Sequence, residues 1–141
     1  MLKRGIGMKV ESYLFFKGCC EEAVGFYQKA LGAKVEELMR YKDSPEPMEG
    51  SSPEKVMHVS LVIGQTRVMM ADDCCSGNSN TKFDGFSLTI TAANGVEAEK
   101  IFAALGEGGQ VCMPLAATFF AAKFGMLRDK FGVTWMVLVD K

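Results

Sequence analysis

Apolar positions spaced for strands and then for a helix occur twice along the chain. Residues 13–32 (YLFFKGCCEEAVGFYQKALG) and 87–106 (SLTITAANGVEAEKIFAALG) both end on Ala-Leu-Gly and align without a gap at an offset of 74. Each copy opens with aromatic or β-branched residues, which favour a strand. Each continues with apolar residues at helical spacing. The repeat therefore predicts two similar units, each a strand followed by a helix.

End signals support both predicted helices. In the first copy Glu21 stands in the first turn, where the helix dipole favours acidic side chains, and Gly32 follows the last turn. In the second copy Asn94 is the predicted N-cap, with Glu97 three residues later. Both helices are amphipathic, so we expect each to lie half-buried against a sheet.

More strands are predicted after each helix. A glycine turn followed by a strand recurs at 64–72 and 132–140 with shared Gly, Thr and Asp. The other predicted strands are 34–41, 56–63, 110–113 and 119–127. Each half is then a βαβββ module of an α+β protein. We place module one at about 11–72, a linker at about 73–83 and module two at about 84–141, within a single domain covering 1–141.

Length and composition limit the classes of function. A chain of 141 residues with 48% hydrophobic residues can bury a core without a structural metal. The formal net charge is −1 and the basic residues are scattered, so we expect no nucleic-acid partner. No stretch approaches the roughly 18 apolar residues of a membrane span, and no signal peptide stands at the start. Five cysteines make a poor disulfide framework. We expect reduced thiols, no membrane association and a cytoplasmic location.

The paired modules resemble the vicinal oxygen chelate superfamily, the fold of glyoxalase I, fosfomycin-resistance and bleomycin-resistance proteins and extradiol dioxygenases. The resemblance rests on residues 20–27 (CEEAVGFY), 30–33 (ALGA) and 129–136 (DKFGVTWM), with Lys130 where the family usually has proline. The runs 13–16 (YLFF), 68–72 (VMMAD) and 131–136 (FGVTWM) look most like the PhnB-type, demethylubiquinone methyltransferase-like branch. The resemblance implies two tandem βαβββ modules forming a cupped mixed sheet, and a homodimer.

Metal chemistry of the superfamily is not expected in this chain. In metal-dependent relatives, side chains from the first and last strands of each module hold a divalent ion. Carried over by position, these side chains are Tyr13, Val68, Ser87 and Met136, and none is a good ligand for such a cation. A single histidine, His58, excludes multi-histidine sites. Methyl transfer is not expected either, because no glycine-rich turn follows a first strand. We predict neither a metal nor a cofactor.

The cup would instead be lined by apolar side chains and a few hydroxyl groups. The predicted lining is Tyr13, Phe15, Ser60, Val62, Val68, Met70, Ser87, Thr89, Met136 and Leu138. Such a wall suits a small apolar or aromatic ligand held by one or two hydrogen bonds. In the alternative, the modules close on each other and the same residues are core.

Two functions follow from these residues. The first is a small-molecule binding protein similar to the bleomycin-resistance type. The second is a metal-independent lyase or isomerase in which His58 acts as acid and base with Tyr13 or Ser87. The alternative for His58 is a hydrogen-bonded structural residue.

Other side chains carry expectations that bear on packing. Trp135 is predicted on the outer sheet face, against a helix or a partner subunit. Arg67 and Arg128 either bind an anionic group bidentately or lie over apolar surface. Small buried apolar roles are predicted for Cys19, Cys20 and Cys112.

Overall fold

The computed structural model describes residues 7–45, 52–73 and 82–141, and in these ranges it shows the βαβββ pattern twice. Module one contains β1 (Ser12–Phe16), α1 (Cys20–Leu31), β2 (Lys34–Arg40), β3 (Val56–Ile63) and β4 (Thr66–Asp72). Module two contains β5 (Leu88–Thr91), α2 (Gly95–Gly106), β6 (Gln110–Ala116), β7 (Lys123–Arg128) and β8 (Thr134–Val139). The predicted α+β fold class is confirmed.

Each module forms its own four-stranded mixed sheet. The strand orders are β1-β4-β3-β2 and β5-β8-β7-β6. β1 runs parallel to β4, and β5 runs parallel to β8, while the other neighbours are antiparallel. Parallel pairing needs a long crossover, and the helix and two strands between the paired strands supply it.

One strand prediction is wrong at its start. The run 119–127 was expected to be a strand, but β7 begins only at Lys123. Residues 118–121 form a turn, in which Thr118 N donates to Ala121 O at 3.1 Å and Ala121 N donates to Thr118 Oγ1 at 3.0 Å. Phe119 and Phe120 have high strand propensity, but this turn leaves them outside the sheet.

The helix ends follow the predicted signals. Asn94 Oδ1 accepts a hydrogen bond from Glu97 N at 2.9 Å and so caps α2. Gly32 ends α1 with a φ of 68°, a left-handed conformation that glycine adopts at low cost. The start of α1 has no side-chain cap of its own, and Asp72 at the end of β4 accepts from Cys20 N at 2.9 Å instead.

The main core lies on the helix side of the sheets and draws residues from both modules. Its largest fully buried members include Trp135, Tyr27, Phe16, Leu61, Met70, Leu105 and Leu127. Trp135 packs against Tyr27 of α1 with ring centroids 5.5 Å apart, so its predicted position against a helix is confirmed. None of the described helices is long and apolar enough to cross a membrane.

A buried carboxylate joins the two modules at this core. Asp129 Oδ2 accepts from Tyr27 Oη at 2.5 Å and from Trp135 Nε1 at 2.8 Å. Asp129 Oδ1 accepts from the backbone N–H groups of Phe131 and Val133 at 2.9 and 3.0 Å. The side chain is 2% exposed, and its hydrogen bonds offset the cost of burying the charge.

The described cysteines are free thiols with different environments. Cys20 is buried, as predicted, whereas Cys19 is only half-buried. The prediction of a buried Cys112 is wrong, because it lies exposed on the edge strand β6. Cys74 and Cys75 lie outside the described residues.

Candidate functional site

Each sheet has one face against the helices and one open face. In β1 the burial alternates, so that Leu14 and Phe16 are 3% and 1% exposed while Tyr13 and Phe15 are 37% and 50% exposed. Successive side chains of a strand point to opposite faces. Tyr13 and Phe15 therefore mark the open face of module one.

Cross-strand pairing identifies the other side chains on this open face. Met69 of β4 lies opposite Tyr13 and also opposite Ser60 of β3. Glu37 of β2 lies opposite Ser60. Directly paired residues project to the same side of a sheet. The open face of module one therefore carries Tyr13, Phe15, Glu37, Met39, His58, Ser60, Val62 and Met69.

A hydrogen-bonded chain crosses this face. Tyr13 Oη lies 2.8 Å from His58 Nδ1, and His58 Nε2 lies 3.0 Å from Ser60 Oγ. The nearest carboxylate oxygen recorded for His58 is Oε1 of Glu37, at 3.9 Å from Nε2. The structure thus brings together two residues predicted as an acid–base pair, Tyr13 and His58.

The aromatic rings beside this chain form a partly exposed surface. Tyr13 stacks on Phe15 with centroids 5.0 Å apart, and its ring lies 5.6 Å from that of His58. Burial raises the pKa of the Tyr13 phenol, so it stays protonated and able to donate at neutral pH.

Two histidine tautomers fit this hydrogen-bonded chain, and they free different protons. If Tyr13 donates to Nδ1, then Nε2–H donates to Ser60 Oγ, and the serine hydroxyl proton is free. If Ser60 donates to Nε2, then Nδ1–H donates to Tyr13 Oη, and the phenol proton is free. Because Tyr13 is 37% exposed and Ser60 only 4%, the arrangement can present a donor to a ligand at the Tyr13 end.

The open face of module two is more apolar. Predicted residues Thr89, Met136 and Leu138 share this face, since Thr89 lies opposite Met136 and Thr91 opposite Leu138. Met126 and Phe124 of β7 lie opposite Met136 and Leu138 and extend the same surface. Thr89 Oγ1 lies 3.7 Å from Met136 Sδ, a weak hydrogen bond.

Ser87 lies just before β5 and is half-buried. Among the hydrogen bonds between described residues, none joins Ser87 to His58. The structure therefore does not pair these two residues, in contrast to Tyr13 and His58.

The predicted placement of Val68 and Met70 on the face of Tyr13 is wrong. Val68 lies opposite Ser12, and Met70 lies opposite Leu14, on the helix side of the sheet. They are 5% and 0% exposed and belong to the core.

Different hairpin turns explain this error. In module one Ile63 pairs with Thr66, so only Gly64 and Gln65 lie between them. In module two Arg128 pairs with Thr134, and residues 129–133 lie between them. The fourth residue after the turn glycine is therefore Val68 on the core face in β4, but Met136 on the open face in β8.

Sequence reasoning missed Glu37, Met39 and Met69 on the open face. Alternation from Tyr13 across paired strands would have found Met69. Glu37 was hidden because the pairing of β2 shifts between Val35 and Glu37, and a bulge breaks simple alternation.

The described residues do not fit a divalent metal site. Among them, no group of three or more His, Cys, Asp or Glu side chains lies close enough to hold an ion. The four positions carried over from metal-dependent relatives hold a phenol, a hydroxyl, a thioether and an alkyl group. A hard cation needs several oxygen ligands, and a borderline cation needs imidazole or thiolate.

A cavity of about 680 Å³ lies between the modules. We call it the threonine cavity, after Thr66, Thr89 and Thr91 on its wall. Its remaining lining is Ser12, Leu31, Ile63, Gly64, Gln65, Val68, Leu88, Ile90, Glu97, Ile101 and Trp135. Val68 therefore contacts a cavity, although not the one predicted.

Comparisons with known proteins match the chain almost end to end. Residues 8–138 match the family described as 3-demethylubiquinone-9 3-methyltransferase. Protein YjdN of Escherichia coli (strain K12) is 30% identical over 95% of this chain and 97% of its own length. Protein PA1353 from Pseudomonas aeruginosa, a crystal structure, is 40% identical with a TM-score of 0.85 and covers 95% of this chain and 98% of its own.

Two further structures extend the likeness. A putative 3-demethylubiquinone-9 3-methyltransferase, PhnB protein, from Bacillus cereus is 28% identical with a TM-score of 0.78, over 94% of this chain and 99% of its own. A glyoxylase/bleomycin resistance protein/dioxygenase domain from Frankia sp. EAN1pec is 10% identical with a TM-score of 0.69, over 97% and 94%. The second likeness shows a shared fold alone.

Proposed function

This chain belongs to the family described as 3-demethylubiquinone-9 3-methyltransferase, the PhnB-type branch of the vicinal oxygen chelate superfamily, and from that premise we propose that it binds a small apolar or aromatic molecule without a metal. The proposed binding surface is the open face of module one. The open face of module two is a further apolar surface of the same kind. The observation that carries the proposal is the stacked, partly exposed pair Tyr13 and Phe15 beside the hydrogen-bonded His58.

Exposed aromatic rings favour a flat ligand on this face. Phe15 is 50% exposed within a strand whose alternate residues are buried, so its ring offers an apolar surface to solvent. Offset stacking adds about 0.5–1.5 kcal/mol to the burial of aromatic area. The adjoining Tyr13 hydroxyl can fix one polar edge of the ligand, whereas Ser60 is 4% exposed and holds His58.

Native mass spectrometry of freshly purified protein tests the proposal directly. We expect protein without a divalent ion, together with a carried organic molecule or an empty site that takes up indole, a neutral aromatic probe. One equivalent of tightly held divalent metal, with loss of activity on chelation, would overturn the metal-free proposal.

A variant pair locates the binding surface. Phe15→Ala is expected to weaken indole binding by about tenfold, because it removes one of two stacked rings. Phe86→Ala is the matched control, since Phe86 is 45% exposed and lies before β5, away from the open face of module one. Equal indole affinity in both variants would rule out the open face of module one.

A metal-independent lyase or isomerase is the second candidate, favoured by the 2.8 Å contact between Tyr13 and His58. His58 would accept a substrate proton, and the Tyr13 phenol would donate to the developing oxyanion or return the proton. Ser60 would hold the second ring nitrogen. Ser87 is not part of this candidate site as the structure arranges it.

Turnover by variants separates binding from catalysis. On a substrate found by screening, His58→Ala should lower kcat by at least about a hundredfold, within the range for general acid–base groups. Tyr13→Phe should lower kcat while leaving KM nearly unchanged. Undiminished turnover by His58→Ala would eliminate this assignment.

Methyl transfer is not proposed, although the family's description names a methyltransferase. β1 is followed by Lys17, Gly18 and Cys19 before α1, and this turn holds one glycine. Dinucleotide-type cofactor sites need several glycines there, within an open parallel sheet.

The homodimer and the cytoplasmic location stay part of the proposal. Exposed apolar side chains on and beyond the edge strand β6 support self-association, namely Val111, Met113, Phe119 and Phe120. The same native mass spectra report the oligomeric state, and a strictly monomeric protein at micromolar concentration would contradict the dimer.

A further inference from the structure

A second cavity between the modules has a wall of a different chemistry. It measures about 590 Å³ and lies where the end of β1 meets the β7–β8 turn. We call it the basic cavity. Its lining comprises Phe16, Lys17, Cys19, Lys82, Phe83, Asp84, Arg128, Lys130, Phe131 and Gly132.

The charge of this wall differs from that of the whole chain. Four cationic side chains and one carboxylate, Asp84, line the cavity, whereas the chain carries a formal net charge of −1. All four cationic side chains are solvent-exposed at the cavity wall, so salt screens their mutual repulsion, but together they give this wall a positive potential. The imbalance therefore favours an anionic occupant.

Within residues 7–45, 52–73 and 82–141, the four cations of the basic cavity form no ion pair. Among the ion pairs between described residues, Arg40 and Arg67 are each paired with glutamates, but none of the four cavity cations is paired. Lys130 instead lies over aromatic rings, 4.9 Å from the centroid of Phe26. Their charges are therefore available to a ligand.

Aromatic side chains form the floor between these charges. Phe16 and Phe83 have ring centroids 4.9 Å apart, and Phe131 lies 6.3 Å from Phe16. Phe83 and Phe131 are half-buried, so their rings are partly open to the cavity. Such a floor suits a planar apolar group.

We propose that the basic cavity is a binding site for a small organic anion in which a phosphate or carboxylate group is joined to a planar apolar body. Arg128 and Lys17 contact the anionic group, and the phenylalanine rings contact the body. This site is separate from the open face of module one, so the proposal does not depend on the proposed function. It also gives Arg128 the anion-binding role that the sequence left open.

Titration with three probes tests both halves of the proposal. Phenyl phosphate should bind more tightly than inorganic phosphate, which lacks the apolar body, and more tightly than phenol, which lacks the charge. In 15N-resolved NMR spectra its largest shifts should fall at Phe83 and Gly132. Raising the salt concentration should weaken binding, because the recognition is electrostatic.

A charge-matched pair of double variants supplies the control. Lys17→Gln/Arg128→Gln should weaken phenyl phosphate binding by about tenfold. Lys29→Gln/Lys100→Gln removes the same charge from exposed positions on α1 and α2, and should leave the affinity unchanged.

Three results would overturn the proposal. These are equal affinity of the two double variants, binding of phenol as tight as that of phenyl phosphate, and shifts centred on Tyr13 and Phe15. The last result would place the anion on the open face of module one, and indole binding would then compete with it.

Discussion

The two modules have the same topology but opposite kinds of open face. Module one carries a hydrogen-bonded chain of Tyr13, His58 and Ser60. Module two carries methionine, leucine and phenylalanine side chains at the corresponding place, and a weak hydrogen bond there joins Thr89 to Met136. A repeated fold therefore fixes the shape of both faces without fixing their chemistry.

The modules also differ in how they start their helices and share their core. Asn94 caps α2 from within its own turn, whereas Asp72 reaches α1 from the end of β4. Asp129 of module two accepts a hydrogen bond from the Tyr27 hydroxyl of module one. Helix α1 therefore depends on hydrogen bonds to residues distant in sequence, whereas the start of α2 depends on a residue in its own first turn. We expect substitutions at the distant residues to destabilise both modules, and substitutions at the local cap to destabilise only that end of α2.

The largest effect is expected from Asp129→Asn. Asn has an NH₂ group in place of one carboxylate oxygen, and this group cannot accept a hydrogen bond. When it stands in the place of Oδ2, the buried donors of Tyr27 and Trp135 lose their acceptor. We expect the free energy of unfolding to fall by about 3 to 5 kcal/mol. Urea unfolding followed by Trp135 fluorescence measures it.

Asp140→Asn is the control for this prediction. Asp140 is an exposed carboxylate just after β8, so its loss should leave the unfolding midpoint almost unchanged. A cost below about 1 kcal/mol for Asp129→Asn would show that this carboxylate does not join the modules energetically.

Two glycine-to-alanine substitutions, one in each module, should change the free energy of unfolding in opposite directions. A Cβ at Gly125 of β7 would stand 2.7 Å from Phe102 Cε1 and 2.9 Å from Leu115 Cα, so Gly125→Ala should cost about 1 to 3 kcal/mol. Gly25 lies exposed inside α1 with nothing within 4 Å of its would-be Cβ. Gly25→Ala should therefore stabilise by about 0.5 to 1 kcal/mol. Thermal unfolding measures both, and two shifts of equal sign would contradict the packing described.

Alkaline pH should weaken the contact between the modules through Tyr27. Burial, and then the charge of Asp129, raise the pKa of this phenol above that of an unfolded tyrosine, about 10. A raised folded-state pKa means that its contribution is fully present below pH 10 and lost as pH rises above that value. The free energy of unfolding should then fall by about 1.4 kcal/mol per pH unit through this group.

Tyr27→Phe isolates this pH dependence. The variant is less stable at pH 7, but its stability should fall less steeply above pH 10 than that of the natural chain. Urea titrations at several alkaline pH values give the two slopes. Parallel slopes would assign the alkaline loss to other groups, of which Cys20 also has a raised pKa.

The repeat and its end signals were enough to predict the fold, but not every face. Gly32, Asn94 and Glu97 act locally, within one turn, so their roles were readable from sequence. Val68 and Met70 were misplaced because strand parity depends on turn length, and the two hairpin turns differ. The basic cavity was not predicted, since Lys17, Lys82 and Arg128 come together only when the modules pack.

A small and local loss of stability is expected from substitutions at the start of α2. Asn94→Ala removes the acceptor for Glu97 N and should cost about 1 kcal/mol, whereas Asn94→Asp keeps an acceptor and should cost almost nothing. Amide hydrogen exchange distinguishes local from spread effects, because a lost cap frays the first turn of α2 while α1, held by Asp72, keeps its protection. Equal loss of protection in both helices would mean that the caps are not independent, and that α2 depends on the shared core as much as α1 does.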